Sequence, residues 1–202
     1  MGIIKVKTKF RIKYDPKNAK YYSENKNAKE LFEKLLSSSN KRCMYCGRNL
    51  YLMGTEMKGL KLEEVFFNRE HTVNKKQDGI EYENLKHCKF NLAVACPICN
   101  NTKSKIINVE KKLLEKLQEK VCEEKECLSP CKEYLEVLKD FEEKNKIILQ
   151  PLGLDRKEEH DIVYNTENLT FEINQEEDYS EREKNIINNH ISRFLQKFEK
   201  NA

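Results

Sequence analysis

The sequence predicts an α+β protein with a small cysteine-rich core, and two observations carry that prediction. Alternating apolar and polar segments, typical of strands, occur towards both ends of the chain, and amphipathic helical patterns accompany them. Two Cys-x-x-Cys pairs, Cys43/Cys46 and Cys96/Cys99, bracket one acidic-histidine dipeptide, Glu70-His71. At 202 residues, the chain can form one core, or one core with a smaller appendage.

The first predicted region, residues 1–42, combines a basic strand with an amphipathic helix. Residues 4–14 alternate apolar and cationic side chains, which predicts a strand with one cationic face. Either phosphate contact or protection of an exposed sheet edge explains such a face equally well. Residues 25–36 place apolar side chains at helical spacing. The cationic residues considered for nucleic-acid contact are Lys5, Lys7, Lys9 and Arg11.

The second predicted region, residues 43–105, contains both cysteine pairs and the Glu70-His71 dipeptide. Between them, residues 74–84 are polar and loop-like, with a turn expected at Asp78-Gly79. The third region, residues 106–202, is predicted to be mainly helical and acidic. Its elements are predicted as helices over 104–121 and 131–144, hairpin strands over 161–164 and 169–173, and a last helix from about 179.

Charge is unevenly distributed along the chain. Residues 1–105 carry 22 Lys/Arg and 11 Asp/Glu, a net charge of +11, whereas residues 106–202 carry 16 and 23, a net charge of −7. A basic front half suits a polyanionic partner, and the acidic rear half suits water or another protein. Chance asymmetry in a chain rich in Lys, Glu and Asn is the other explanation.

The cysteines indicate a metal site. Neither a membrane-spanning apolar run nor an apolar signal core is found, so the expected location is cytoplasmic and no membrane partner is expected. Cysteines in that compartment are thiols or metal ligands rather than disulfides. Two Cys-x-x-Cys pairs can close a tetrahedral zinc site on Cys43, Cys46, Cys96 and Cys99, and four thiolates leave no position for a substrate. The zinc is therefore predicted to be structural.

Any chemistry must then come from residues that the zinc holds in place, and Glu70, His71, Asn91 and Asn100 are the candidates. Histidine has an unperturbed pKa near ~6.5, so His71 can take a proton from water at neutral pH. Glu70 and Asn100 offer oxygen ligands suited to Mg²⁺ or Mn²⁺. A helix expected to begin near Asn101 would direct its N–H groups at a phosphate, and Lys103 is expected to add positive charge there as a further nucleic-acid-binding residue.

The order Cys-x-x-Cys, Glu70-His71, Asn91, Cys-x-x-Cys-Asn100-x-x-Lys103 resembles the zinc-bearing form of the HNH endonuclease motif. Two positions depart from the usual pattern: Glu stands for Asp before the histidine, and Asn100 stands where many members have histidine. The resemblance implies a ββα-metal core, with flanking helices and a C-terminal hairpin plus helix outside it. It further implies His71 as general base, Asn91 as the residue that braces the histidine loop, and Glu70 and Asn100 as ligands of one divalent metal.

Residues outside the motif extend the resemblance. The stretch from Ile147 to His160, followed by a hairpin and a terminal helix, is similar to the tail of nuclease subunits in Septu-type anti-phage systems and related retron effectors. This resemblance implies a DNA-cleaving effector of bacterial antiviral defence, with an ABC/SMC-like ATPase as partner subunit.

Other interpretations remain open at this point. The cysteines could form a zinc-stabilised nucleic-acid-binding module without catalysis, and the target of a nuclease could be RNA, such as tRNA. His87 competes with His71 as a base, whereas His160 and His190 are expected to be structural or solvated. A second metal site and ordinary thiols are both compatible with the remaining cysteines of interest, Cys88, Cys122, Cys127 and Cys131.

Overall fold

The computed structural model describes residues 3–6, 35–36, 39, 41–48, 68–103, 106–120, 129–149, 162–165, 167 and 170–196. Several predictions concern residues outside these ranges. They are the strand beyond Val6, with Lys7, Lys9 and Arg11, most of the predicted 25–36 helix, and Cys122, Cys127 and His160.

Small antiparallel strands and short helices make up the described fold, so the prediction of mixed α and β structure is confirmed. The strands are β1 (Ile3–Val6), β2 (Asn68–His71), β3 (Lys76–Gln77), β4 (Ile80–Glu81), β5 (Leu92–Ala95), β6 (Ile162–Asn165) and β7 (Thr170–Ile173). The α-helices are α1 (Glu83–His87), α2 (Pro97–Lys103), α3 (Lys111–Gln118), α4 (Lys132–Asn145) and α5 (Glu181–His190), and α5 continues as a π-helix over Ile191–Leu195.

A three-stranded antiparallel sheet joins the two ends of the chain. The predicted hairpin is present as β6 and β7, with Tyr164 opposite Phe171. The first strand, β1, pairs with β6 and places Ile4 opposite Tyr164. Sequence patterns predict each strand but not this long-range pairing, which brings residues from the basic front half against the rear half.

The second sheet is the pair β2–β5, and it carries the candidate site. In its antiparallel register Glu70 lies opposite Ala93 and His71 lies opposite Leu92. All four residues of β5 are buried, because this strand runs through the main core. Helix α2 follows β5 after one residue, so the strands and the helix form a compact strand–strand–helix unit.

The segment expected to be a polar loop contains a minimal hairpin, β3–β4. Its turn is at the predicted Asp78-Gly79, whose φ angles are 49° and 82°. Two successive positive φ angles are those of a type I′ turn, and Asp-Gly is a preferred pair for it because glycine has no Cβ to clash. The turn prediction is thus confirmed, while the loop assignment on either side of it is corrected.

The helix predicted over 104–121 is present over Lys111–Gln118 but not over 106–110, and the helix start expected near Asn101 is wrong. Helix α2 already begins at Pro97, and the next helix, α3, begins only at Lys111, after an extended stretch at 106–110. Side chains that are distant in sequence form hydrogen bonds with the backbone N–H and C=O groups of that stretch. Asn145 accepts from the Ile107 N–H at 2.7 Å and donates to its carbonyl at 2.9 Å, and Gln77 accepts from the Val109 N–H at 2.7 Å. These bonds replace those that a continuous helix would make.

Helix α4 is at the centre of the main core, and it matches its predicted span to within one residue at each end. Its buried face packs against α3 and belongs to the same core cluster as β5 and the first cysteine pair. A second, smaller cluster lies between α5 and the three-stranded sheet, and consists of Ile148, Ile162, Tyr179, Ile186, Ile187, Ile191 and Leu195.

His190 joins the two clusters and is structural rather than solvated. It is buried; its Nδ1 accepts from the Ile148 N–H at 3.1 Å and its Nε2 donates to the Tyr45 carbonyl at 2.7 Å. Because Tyr45 lies inside the first Cys-x-x-Cys pair, this imidazole fixes the last helix to that pair.

Within the described ranges, none of the helices has the length and apolarity that a membrane span requires.

Candidate metal centre and the adjoining polar site

Two turns present the four cysteines. Cys43 and Cys46 lie in a tight turn that closes with a bond from the Gly47 N–H to the Cys43 carbonyl at 2.9 Å. Gly47 has a φ of 67°, a conformation that a side chain would strain. Cys96 and Cys99 lie at the start of α2, where Pro97 occupies the first helical position, which favours a helix start because proline lacks an N–H.

The four sulfur atoms of Cys43, Cys46, Cys96 and Cys99 all lie within 4.8 Å of one another. A tetrahedral zinc with Zn–S bonds of ~2.3 Å requires S–S separations of roughly 3.8 Å, so these sulfurs can close on one ion with small adjustments. Two backbone N–H groups already point at sulfur: that of Cys96 at Cys43 Sγ (3.3 Å) and that of Cys99 at Cys96 Sγ (3.4 Å). The donor set therefore fits a structural zinc.

Thiol electrostatics also favours a bound cation. Hydrogen bonds with the other cysteines, first of all Cys43, lower the pKa of Cys96 far below its ordinary value and raise the pKa values of Cys46 and Cys99. The pKa of Cys43 is lowered too, so without a metal the cluster favours ionisation of some of its thiols and keeps protons on the others. A zinc ion would release those protons and make all four groups thiolates, so the site's zinc affinity must fall on acidification.

Glu70 lies in β2, whose partner strand leads into the second cysteine pair, and it is paired with Lys103. The Lys103 ammonium donates to Glu70 Oε1 and to the carbonyl of His71, and lies 5.8 Å from the centroid of the Phe141 ring. Glu70 is 6 % exposed and Lys103 only 1 %. Burial raises the pKa of Glu70 and lowers that of Lys103, and each partner's charge opposes the shift of the other.

Tyr45 provides a further polar group at this pair. Burial raises its pKa well above the ordinary phenol value, and the charge of Glu70 raises it further, so its hydroxyl lies close to that carboxylate. Nevertheless, the hydroxyl makes no hydrogen bond of ordinary geometry with any described residue. Its ring stacks on Phe194 with centroids 4.6 Å apart, which holds it in place.

His71 ends β2 and is partly exposed. Its Nε2 lies 3.2 Å from the carbonyl oxygen of Lys86. A carbonyl only accepts, so Nε2 must carry the ring proton, and in the neutral ring Nδ1 is then the nitrogen that can accept one. The structure thus fixes the tautomer that a general base at Nδ1 requires.

Asn91 holds the segment that follows His71. Its side chain accepts from the Val73 N–H at 2.8 Å and donates to the carbonyls of Val73 and Leu85, both at 2.9 Å. Its own carbonyl accepts from the Thr72 N–H at 2.7 Å. Asn91 is completely buried, and the Tyr134 hydroxyl also donates to its Oδ1 at 3.2 Å. These are the contacts expected of a residue that braces the loop beside the histidine.

We expect Asn91→Ala to lower the free energy of unfolding by about 2–4 kcal/mol, because it removes several hydrogen bonds worth roughly 1 kcal/mol each and leaves buried Val73 groups unpaired. Urea unfolding of the zinc-loaded chain measures this change. The matched control is Asn108→Ala, whose side chain makes an exposed 2.7 Å bond to Asp78. Its loss should be within about 0.5 kcal/mol of zero. Equal losses in the two variants would show that Asn91 is not a structural brace.

Asn100 and the remaining candidates are placed as follows. Asn100 is in α2, partly exposed, and three residues before Lys103, so the two side chains share one helix face. Because α2 begins at Pro97, Asn100 and Lys103 lie within the helix and not at its start. For Lys5 the structure describes the backbone in β1 and not the side chain, and for His87 the backbone in α1 and not the side chain.

The second metal site gains no support within the described ranges, where the Cys43/Cys46/Cys96/Cys99 cluster is the one group with three or more potential ligands. Cys88 and Cys131 are both partly buried and both near Tyr134, whose pKa is raised by burial first and by these two cysteines next.

No family model matches this chain, and no curated protein or solved structure matches it significantly.

A divalent metal on Glu70 and Asn100 does not fit this conformation. The Lys103 ammonium already occupies a Glu70 oxygen in a buried position. A divalent ion on the same carboxylate would lie about 4 Å from that ammonium, and the repulsion would be roughly 8 kcal/mol at an effective dielectric constant of about 20. The expected contact of Lys103 with nucleic acid does not fit this conformation either, because the buried ammonium faces Glu70 and the His71 carbonyl.

Sequence reasoning missed two groups at this site. Tyr134 belongs to the apolar face of a helix, a pattern that predicts only a core residue, yet its hydroxyl bonds to Asn91 and to the Phe90 carbonyl. Tyr45 lies between two cysteines and carries no signal of its own, yet it is the phenol beside Glu70. For Lys103, its position one helical turn after Asn100 could have indicated proximity to the site, but not burial.

Proposed function

We propose that this protein is a nuclease of HNH type that hydrolyses phosphodiester bonds in DNA. One observation carries the proposal: His71 ends a strand that pairs with β5, the strand leading into the second cysteine pair, with Nε2 held by the Lys86 carbonyl and the following segment held by Asn91. The strand–strand–helix order of β2, β5 and α2 supports it, because it is the arrangement that the HNH resemblance implies.

In the proposed reaction, His71 Nδ1 takes a proton from the water that attacks phosphorus. The Lys86 carbonyl keeps the ring in the required tautomer, and Asn91 keeps the strand end in place. A zinc ion on the four cysteines would supply no chemistry and would only link the first cysteine pair to the start of α2. The Mg²⁺ or Mn²⁺ that the resemblance implies would have Glu70 and Asn100 as ligands and would supply positive charge for the phosphate, and its entry depends on Lys103.

A zinc-stabilised nucleic-acid-binding module without catalysis is the second candidate. The buried Glu70–Lys103 pair favours it, because a carboxylate neutralised by an ammonium needs no metal. Incubating the zinc-loaded chain with supercoiled plasmid and with tRNA, each with Mg²⁺, with Mn²⁺ or with EDTA, separates the candidates. Metal-dependent nicking of plasmid supports the proposal, cleavage of tRNA alone moves the substrate to RNA, and binding without cleavage supports the module.

The proposed role is that of an effector in bacterial antiviral defence, acting with an ABC/SMC-like ATPase. The acidic rear half supports a protein partner there, since the segment leading into α5 exposes Glu176, Glu177 and Asp178. An acidic surface of this kind repels polyanions such as nucleic acids. Nucleic acid is proposed to contact the basic front of the chain, where Lys5, Lys7, Lys9 and Arg11 lie.

A further inference from the structure

Lys103 and Glu70 form a buried ion pair next to the proposed general base. The ammonium has three kinds of partner: the Glu70 carboxylate, the carbonyl of His71, and the face of Phe141 at 5.8 Å. Both charged groups are buried, so water cannot take the place of either partner. One negative charge is matched by one positive charge, and any further cation on Glu70 would be unpaired.

Tyr45 offers the same carboxylate a second donor. Its buried hydroxyl is close to Glu70 but makes no hydrogen bond of ordinary geometry with the described residues. Burial raises the pKa of Glu70, and the interaction of this hydroxyl with the carboxylate nevertheless acts to lower it. The surroundings of Glu70 therefore contain one donor bonded to the carboxylate, Lys103, and a second one close by.

We infer that Lys103 is an internal cation that excludes a divalent metal from Glu70, so that metal and ammonium bind this carboxylate in competition. Metal entry would then require the ammonium to leave the Glu70 carboxylate. Lys103 therefore controls the access of a divalent metal to Glu70 and does not act as a contact for phosphate. The inference builds on the proposed function, but it concerns binding and can be tested without any cleavage.

The test is Mn²⁺ binding to the zinc-loaded full chain, followed by the electron paramagnetic resonance signal of free Mn²⁺. Lys103→Met keeps the length of the side chain and its contact with Phe141 but removes the charge, and it should bind Mn²⁺ with a Kd at least about tenfold lower than wild type. Lys103→Arg keeps the charge and should bind no better than wild type. Adding Glu70→Gln to Lys103→Met should abolish the gain.

Equal Mn²⁺ affinity in wild type and Lys103→Met overturns the inference, and so does an absence of binding in both. Zinc content and thermal unfolding establish that each variant is folded. The Mn²⁺-binding results test the competition at Glu70 and do not test the proposed nuclease activity. If His71→Ala cleaves DNA as well as wild type does, the assigned base is wrong while the competition at Glu70 stands.

A second measurement uses the wild-type chain alone, so it does not depend on any variant folding. Reductive methylation followed by peptide mapping reports which lysines are accessible. Lys103 should be protected without Mn²⁺ and should become reactive when Mn²⁺ is added at millimolar concentration. Lys111, whose side chain is 68 % exposed, should react equally in both samples. Protection of Lys103 that persists with Mn²⁺ bound would overturn the inference.

Discussion

Removing the zinc is expected to unfold the main core, and this is the largest effect that the structure predicts. Binding of a structural zinc by four thiolates contributes about 10–16 kcal/mol of apparent free energy, whereas whole domains are stable by only about 5–15 kcal/mol. Three of the four cysteines are buried in the main core and Cys46 is partly buried against it, so the cluster joins the first cysteine turn to the start of α2 inside the core. Cys96→Ser should therefore lose cooperative thermal unfolding, and a strong chelator should have the same effect on wild type.

Circular dichroism during heating and elemental analysis check this prediction together, with one zinc per chain expected in wild type. Cys131→Ser is the matched control, because Cys131 is also partly buried against the main core but lies outside the four-cysteine cluster. It should keep its zinc and unfold cooperatively. Metal-free wild type that unfolds at the same temperature as the zinc-loaded chain would contradict a structural role for the metal.

The features that sequence predicts correctly here are local ones. The Cys-x-x-Cys spacing and the Asp78-Gly79 turn each depend on a few adjacent residues, so their geometry follows from chain stereochemistry and ligand chemistry. Pro97 also indicates the start of α2, since proline favours the first helical position. The spacing of apolar residues further along the chain instead favours a later helix start.

The features that sequence does not predict depend on contacts between distant residues. The extended stretch at 106–110 exists because Gln77 and Asn145 bond to its backbone, and neither residue is near it in sequence. The burial of Lys103 depends in the same way on Glu70, 33 positions earlier. Lysine is almost never fully buried unless it is paired, so composition favours an exposed side chain at that position. The pairing partner could be identified only once the fold was known.

His71→Ala is expected to reduce plasmid cleavage by about 10²–10⁴-fold, the usual contribution of a positioned general base. The expectation follows from the bond between His71 Nε2 and the Lys86 carbonyl, which leaves Nδ1 as the ring atom able to accept a proton. The variant should keep its zinc and its thermal stability, because His71 is partly exposed and is not one of the clustered cysteines. Initial rates of nicking at saturating metal measure the change.

His87→Ala is the matched control, since it removes the other histidine that the sequence offers close to Asn91. If His71 is the base, this control should cleave at nearly the wild-type rate. Comparable losses in both variants would indicate a general effect of the α1 region on the site, and a loss confined to His87→Ala would assign the proton transfer to His87. Because both variants leave Glu70 and Lys103 in place, either result would concern the base alone and not the competition between metal and ammonium.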